Sequence, residues 1–248
     1  MVYLASTKRE ANEISMELGE KAKIMANNDI EEFDGSELGT KDYWDKSYNT
    51  EIINYKSHGD VGEVWFDEDS QIRVIDWLIR NEIPENSSII DLGCGNGMML
   101  VELYRENFKN LTGIDYAENA IELAKQIASD QDMNIDYKVL DLLDHNDIQS
   151  KIGEKIYDIV HDKGTYDAIS LHPENPTEKR STYIQHLFNL TASDGLLILT
   201  SCNWTEDELC KSLNGKFSKY KSIPTPTFKF GGSVGSVVTQ IVLKKCQQ

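Results

Sequence analysis

The strongest chemical signal in the sequence is the glycine-rich segment DLGCGNG, Asp91 to Gly97. It follows a short apolar run and precedes a stretch whose pattern predicts a helix beginning near Met98. Glycines at such a turn let the backbone bend tightly and approach a ligand, and a helix N-terminus offers unpaired N–H groups. The segment therefore predicts a cradle for a nucleoside-containing cofactor between a strand and a helix.

Two details separate this cradle from the dinucleotide-binding fingerprint G-x-G-x-x-G. Met98 stands where that fingerprint has its third glycine, and Asp91 directs a carboxylate toward the ligand. Two unit charges 4 Å apart repel by about 4 kcal/mol at an effective dielectric constant of 20, so a pyrophosphate is disfavoured. S-adenosylmethionine has no phosphate and carries an ammonium group that Asp91 can hold. The predicted cofactor is therefore S-adenosylmethionine.

Acidic residues at the ends of two later apolar runs complete the predicted nucleoside site. Asp115 ends a run about 20 residues after the cradle, where a carboxylate can accept hydrogen bonds from ribose hydroxyls. Asp141 follows the next run and can accept a hydrogen bond from the adenine amino group, with Leu142 packing on the ring. Ligands of open α/β sheets bind beside the carboxyl ends of strands, where both aspartates are expected.

Polar residues also follow the fourth apolar run, in HDKGTYD, His161 to Asp167. Asp162 is the predicted catalytic residue, placed to stabilise an incoming cationic amine or the methionine end of the cofactor. His161 receives no role, because a histidine at a strand end is more often structural than a general base. Trp204 is predicted to line the substrate channel, since aromatic faces attract cations by roughly 0.5 to 2 kcal/mol. Tyr166 is also predicted to bind substrate. Ordinary core packing is the alternative for the tryptophan.

These residues require a sheet whose carboxyl edge collects them, and the rest of the pattern predicts one. Apolar runs alternate with helical patterns, which favours βαβ crossovers and a mainly parallel sheet covered on both faces. The predicted strands are 89–92, 111–115, 135–140, 156–160 and 195–200. A helix capped by Asp69 or Ser70, with Ile72, Ile75 and Ile79 on one face, is predicted to precede them.

The C-terminal part departs from this alternation. After a helix at 206–213, the runs 217–223 and 237–243 follow each other without a helix, which predicts an antiparallel hairpin. The connection between them contains Pro224, Pro226, Gly231 and Gly232. This outline is the Rossmann-like, seven-stranded fold of class I S-adenosylmethionine-dependent methyltransferases. Residues 38–248 are predicted to form that α/β domain, and residues 1–37 a helical extension.

Composition narrows the class of partner. The 42 acidic and 25 basic residues give a formal charge of −17, which disfavours a nucleic-acid partner and favours a basic or cationic one. The four cysteines form no CxxC pair or His/Cys cluster, so no metal site is predicted. No apolar stretch reaches the length of a membrane span, and together these features predict a cytoplasmic protein without a membrane partner.

Several segments make the chain resemble one family of protein-lysine methyltransferases. The segments are LGTKDYWDKSYNTE, GEVWF, DLGCGNG, GIDYAENAI, HDKGTYDAISL and TSCNWT, within Leu38 to Leu243. They are similar to the elongation factor methyltransferase 4 and methyltransferase-like protein 10 family, which modifies translation elongation factor 1-alpha. The resemblance implies a lysine substrate on that factor. It also implies cofactor contacts from Asp91, Gly93, Gly95, Asp115, Tyr116, Asp141 and Leu142, and we add Trp65, Cys94 and Asn96 to the predicted set.

Three alternatives remain open from the residues alone. Methylation of RNA or DNA amino groups is disfavoured by the charge and by Asp162–Thr165, which replaces the usual Asn-Pro-Pro-Tyr type of segment. A small-molecule methyltransferase needs a lid over its pocket, which the N-terminal helix could supply. A cofactor-binding scaffold without activity is opposed by the intact cradle.

Overall fold

The computed structural model describes residues 32–230 and 233–247, which fold around one central sheet. A single 3-10 turn, Glu37–Gly39, precedes the first helix. The helices are α1 (Lys41–His58), α2 (Asp67–Arg80), α3 (Met98–Arg105), α4 (Glu118–Ser129), α5 (His145–Lys151), α6 (Thr165–Ser170), α7 (Pro176–Leu190) and α8 (Glu206–Ser212). The strands are β1 (Ile89–Leu92), β2 (Leu111–Asp115), β3 (Asp136–Val139), β4 (Tyr157–Lys163), β5 (Thr191–Ser201), β6 (Phe217–Ser222), β7 (Thr227–Phe230), β8 (Ser233–Ser236) and β9 (Thr239–Lys245).

The central sheet has seven strands in the order β3-β2-β1-β4-β5-β9-β6. The first four pairings are parallel, and β9 runs antiparallel to both β5 and β6. The chain builds outward from β1 through β2 to β3, and then crosses back to place β4 on the other side of β1. The carboxyl ends of β1 and β4 therefore flank the topological switch point, where open α/β sheets bind their ligands.

Both faces of the sheet are covered, as a parallel sheet requires. Leu197 and Ile198 of β5 are both fully buried, and they belong to separate apolar clusters. Because successive side chains of a strand point to opposite faces, these clusters lie on opposite sides of the sheet. A third cluster joins α1 to α4 through Tyr48 and Ile52 of α1.

The main architectural predictions are confirmed. The predicted alternation is present with strand ends shifted by a few residues, and β6 and β9 form the predicted antiparallel pair. The connection between them holds the additional short pair β7 and β8. The predicted helical stripe of α4, from Ala120 to Ala128, is buried as expected.

The prediction for α2 is wrong in its start and in part of its buried face. The helix begins at Asp67 with Phe66 as its N-cap, rather than at a cap on Asp69 or Ser70. Ile72 and Ile79 are 49% and 45% exposed. The stripe that meets the sheet runs through Ser70, Gln71, Val74, Ile75 and Leu78 instead. Because Ser70 and Gln71 are polar, the sequence pattern does not identify this buried face.

The helix predicted in the N-terminal extension, over residues 5 to about 28, lies outside the described residues, which begin at residue 32. Among the helices of the described ranges, none combines the length and apolar character that crossing a bilayer demands.

Leu197 at the sheet centre offers a test of this packing. Leu197→Ala removes a fully buried side chain and leaves a cavity, so we expect the free energy of unfolding to fall by about 2–5 kcal/mol. Chemical denaturation measures the change. The matched control is Ile156→Ala, because Ile156 is 53% exposed and its loss should change stability by less than about 0.5 kcal/mol. Equal losses in the two variants would contradict the observed packing.

Candidate active site

The cradle predicted from DLGCGNG connects β1 to α3, and its three glycines have backbone angles that favour glycine. Gly93, Gly95 and Gly97 have φ of 66°, 54° and 74°. A Cβ on Gly95 would lie 2.4 Å from Tyr48 Oη, and one on Gly93 would lie 2.1 Å from Thr165 Oγ1. The loop is therefore closely packed between α1 and the start of α6, and a side chain at either glycine would collide with these neighbours.

Asp115 at the end of β2 holds the cradle in place. Its Oδ2 accepts a hydrogen bond from the Gly95 amide at 3.0 Å, and its Oδ1 accepts one from the Ala117 amide at 2.9 Å. Burial raises the pKa of Asp115 to about 6, although these amide hydrogen bonds act in the opposite direction. A carboxylate can accept about four hydrogen bonds, so Asp115 retains capacity for the hydroxyls of a ribose.

The third predicted part of the nucleoside site lies beyond β3. Asp141 is exposed, and its Oδ1 accepts a hydrogen bond from the Leu143 amide at 2.8 Å. Leu142 is buried, and its carbonyl contacts the His186 ring at 2.8 Å. Tyr116 is partly buried next to Asp115. The carboxyl ends of β1, β2 and β3 thus bring the predicted cofactor residues to one edge of the sheet.

Cys94 and Asn96 take different parts in the cradle. The Cys94 amide donates to the Ile114 carbonyl at 2.9 Å, while its buried side chain belongs to the apolar core. Asn96 Nδ2 donates to the carbonyls of Val61 and Glu63 at 3.0 and 3.3 Å. The Asn96 side chain therefore fastens the segment between α1 and α2 above the cradle.

A side chain from β4 also binds the segment between α1 and α2. Lys163 at the end of β4 donates from Nζ to the Trp65 carbonyl at 2.9 Å. Burial lowers the pKa of Lys163, while the nearby Asp91, Asp162 and Asp67 carboxylates raise it. Together, α1 and residues 59–66 form what we call the roof of the cradle.

The roof has an aromatic interior. The rings of Trp44 and Trp65 lie edge to face with centroids 4.8 Å apart, and Tyr48 stacks beside Trp44 at 6.1 Å. Sequence reasoning missed this helix as an element of the site. The spacing of Trp44, Tyr48, Ile52 and Tyr55 gives one helical stripe and could have revealed it.

Asp162, the penultimate residue of β4, is fully buried beside the turn that leads into α6. Its oxygens accept hydrogen bonds from the amides of Thr165 and Tyr166 and from the Tyr183 hydroxyl, the last at 2.7 Å. Burial raises its pKa to about 7 against the effect of these donors. The carboxylate thus holds the turn together, and its predicted catalytic contact stays a prediction that this geometry disfavours.

Tyr166 and Trp204, predicted to bind substrate, are core residues in this structure. Tyr166 has no exposed surface and its hydroxyl contacts Ser212 Oγ at 2.5 Å. Trp204 is 2% exposed, with the Phe33 ring 4.8 Å away and the Arg180 guanidinium 5.2 Å from its ring centre. The predicted role of Trp204 in substrate binding is corrected to the alternative of core packing, because the segment containing Phe33 covers its ring. The complete burial of Tyr166 disfavours its predicted contact with substrate.

Asp91 has a partner that the sequence did not suggest. His161 Nδ1 lies 2.7 Å from Asp91 Oδ1, and the two side chains are 1% and 5% exposed. The contact follows from strand order, because Asp91 of β1 and His161 of β4 are register partners. Asp91 therefore meets the cradle as half of a buried pair.

Comparison with known proteins places these features in a family. Residues 83–244 match the model of a methyltransferase domain. EEF1A lysine methyltransferase 2 of Danio rerio is 45% identical over 216 residues, which cover 87% of this chain and 91% of the relative. The human protein of the same name is 41% identical, covering 85% and 87%. Protein-lysine N-methyltransferase EFM4 of Saccharomyces cerevisiae is 38% identical, covering 85% and 95%.

Solved structures support the fold. Magnesium protoporphyrin IX methyltransferase of Synechocystis, with bound SAM, superposes with a TM-score of 0.59 at 20% identity, covering 89% of this chain and all of that one. The N-methyltransferase NodS of Bradyrhizobium japonicum, with S-adenosyl-L-homocysteine, gives 0.60 at 15% identity, covering 82% and 99%. At these identities the likeness concerns the fold alone, which is the predicted class I methyltransferase fold.

The tight contact between Gly95 and α1 gives a testable prediction. Gly95→Ala adds left-handed backbone strain of about 1–2 kcal/mol and a collision with Tyr48 Oη costing about 1–3 kcal/mol more. Gly59→Ala is the matched control, because φ there is 77° but no atom lies within 4 Å of the added Cβ. Chemical denaturation should therefore show the larger loss at Gly95. Tyr48→Phe should relieve part of that loss, and a loss unchanged in that background would contradict the collision.

Asp162 predicts a specific pH dependence of stability. Its folded pKa of about 7 lies above its ordinary 3.8, so its stabilising contribution is fully present below pH 3.8 and is lost as pH rises through 7. Asp162→Asn removes this dependence. The stability of the wild type relative to Asp162→Asn should therefore fall between pH 4 and 7, by at most about 1.4 kcal/mol per pH unit. Urea denaturation across this range measures the slope, and a constant difference would refute the assignment.

Proposed function

We propose that this chain methylates a lysine of EEF1A. The proposal proceeds from the finding that the chain belongs to the methyltransferase family of EEF1A lysine methyltransferase 2 and EFM4. It is an S-adenosylmethionine-dependent protein-lysine methyltransferase, as the sequence resemblance predicted. The observation that carries the proposed substrate is 41–45% identity over most of the chain to relatives named for that activity. Because an elongation factor works beside ribosomes, a cytoplasmic location is part of this proposal.

The residues of the cradle fit S-adenosylmethionine, which supplies a methyl group activated by a sulfonium. Asp115 would accept hydrogen bonds from the ribose hydroxyls, and Asp91 would receive the α-ammonium group. Asp141 and Leu142 would bind the adenine, with Tyr116 beside them. Support comes from the tight glycine turn, in which an added Cβ would collide with neighbouring side chains, and from the buried carboxylates that the fold gathers around it.

The roof would exclude water from the reacting groups. Asn96 and Lys163 fasten it from two different strand ends, so its position is tied to the cradle and to the turn after β4. A lysine amine must be neutral to accept a methyl group, and neutralising it at pH 7 costs about 4.6 kcal/mol from an ordinary pKa near 10.4. A dry, aromatic-lined site lowers that pKa because it disfavours the charged amine. Asp162 is then not required as a base.

The charge of the chain favours a basic protein as partner. At −17, its field attracts a cationic surface and repels the phosphate backbone of a nucleic acid. A protein substrate of opposite charge would meet the enzyme faster at low ionic strength than at high ionic strength.

Methyl transfer to purified EEF1A tests the proposal directly. The substrate is EEF1A produced in bacteria, incubated with S-adenosylmethionine and the full chain, and analysed by peptide mass spectrometry. We expect methyl groups on one lysine. Asp115→Ala should reduce kcat/KM by about 10- to 150-fold, since it removes hydrogen bonds to a charged acceptor.

The matched control is Asp158→Asn, at the amino end of β4, where Asp158 accepts hydrogen bonds from Ser88. That end of the strand lies opposite the cradle, so methyl transfer should be unchanged. Absence of methylated lysine in EEF1A, with labelled methyl recovered in RNA or a small molecule from an extract, would contradict the proposed substrate.

A further inference from the structure

The Asp91–His161 pair sits at the switch point of the sheet. β1 and β4 are neighbouring parallel strands, and the two residues face each other in register near the carboxyl ends. Both side chains are almost fully buried. A polar pair in this position occupies the floor of the crevice in which an open α/β sheet binds its ligand.

The hydrogen bond divides the carboxylate into two unequal oxygens. A carboxylate oxygen acts as an acceptor, so His161 Nδ1 is assigned as the donor of this hydrogen bond and Asp91 Oδ1 as its acceptor. Oδ2 makes no hydrogen bond to any described residue. One oxygen is therefore held by the protein, and the other remains available to a ligand in the cradle.

The second ring nitrogen of His161 also indicates a functional role for this pair. His161 Nε2 is buried and has no hydrogen-bond partner among the described residues. Leaving a buried polar atom unpaired costs about 1–3 kcal/mol, so this nitrogen calls for an explanation, and a functional requirement for the imidazole is one. A simple link between strands would not need it, since Ser88 and Asp158 already join β1 to β4 at their amino ends.

We propose that His161 is a positioning residue for the cofactor: it orients Asp91 so that the free carboxylate oxygen meets the α-ammonium group of the methionine moiety. This inference rests on the proposed binding of S-adenosylmethionine in the cradle. It assigns no contact between His161 and the reacting methyl group. The imidazole acts through the carboxylate that it holds.

The consequence is a selective effect on ligands that carry the amino-acid end. S-adenosylhomocysteine has the α-ammonium group, whereas 5′-methylthioadenosine keeps the nucleoside and thioether but lacks the amino-acid end. Loss of the His161 donor should weaken the binding of S-adenosylhomocysteine by about 10- to 100-fold, which is the effect of one hydrogen bond to a charged group. The affinity for 5′-methylthioadenosine should change by less than about twofold.

Isothermal titration of both ligands into the full chain tests this selectivity. His161→Ala and His161→Leu both lack a donor, and whichever gives folded protein serves, the leucine retaining more of the volume. His161→Asn keeps an amide donor and should restore part of the affinity for S-adenosylhomocysteine. Asp158→Asn on the same strand is the control and should bind both ligands as the wild type does.

Two results would overturn the proposal. One is an equal loss of affinity for both ligands, which would indicate general damage to the cradle. The other is unchanged S-adenosylhomocysteine affinity in a donor-less variant. Because the titration needs no protein substrate, a failure here is distinguishable from a failure to methylate EEF1A.

Discussion

The structure depends on keeping carboxylates inside the carboxyl edge of a parallel sheet. A buried carboxylate without partners costs several kcal/mol, so each one must receive donors from the surrounding fold. Four acidic residues at this edge are buried, each with at most 4% of the whole residue exposed: Asp91, Asp115, Asp162 and Asp167. The loops and the turn after β4 are placed so that they supply those donors.

The four carboxylates receive their donors from different parts of the fold, and each therefore has a different structural role. Asp115 takes backbone amides of the glycine loop and of the start of α4, and thereby fixes the cradle. Asp162 at the end of β4 takes two amides from the start of α6 and the Tyr183 hydroxyl from α7. Asp167 takes the Ser201 hydroxyl and the Cys202 amide, and so ties α6 to the end of β5. Asp91 alone depends on a side chain of the neighbouring strand.

What the sequence could predict was local. DLGCGNG and the apolar runs specify strand, turn and helix within a few residues, so the cradle and the alternating architecture were predictable from β1 to β5. The Asp91–His161 pair was not, because it requires knowing that β4 lies beside β1. Trp204 was misjudged for a similar reason: the ring that covers it belongs to Phe33, which is distant in sequence.

The position of the roof was likewise not predictable from the sequence. The stripe from Trp44 to Tyr55 predicts an amphipathic helix, but nothing in its spacing says which part of the domain it covers. Asn96 and Lys163 decide this by binding carbonyls of the segment that follows α1. The helical face is a property of the sequence, whereas its partner is a property of the assembled fold.

The proposed methylation of an EEF1A lysine by this chain is tested most directly by quantitative mass spectrometry of EEF1A from cells. Cells that lack the gene should lose methylation at one EEF1A lysine and keep it at the others. Returning the wild-type chain should restore that site, and returning Asp115→Ala should not. Unchanged methylation of every EEF1A lysine in the deleted cells would contradict the account.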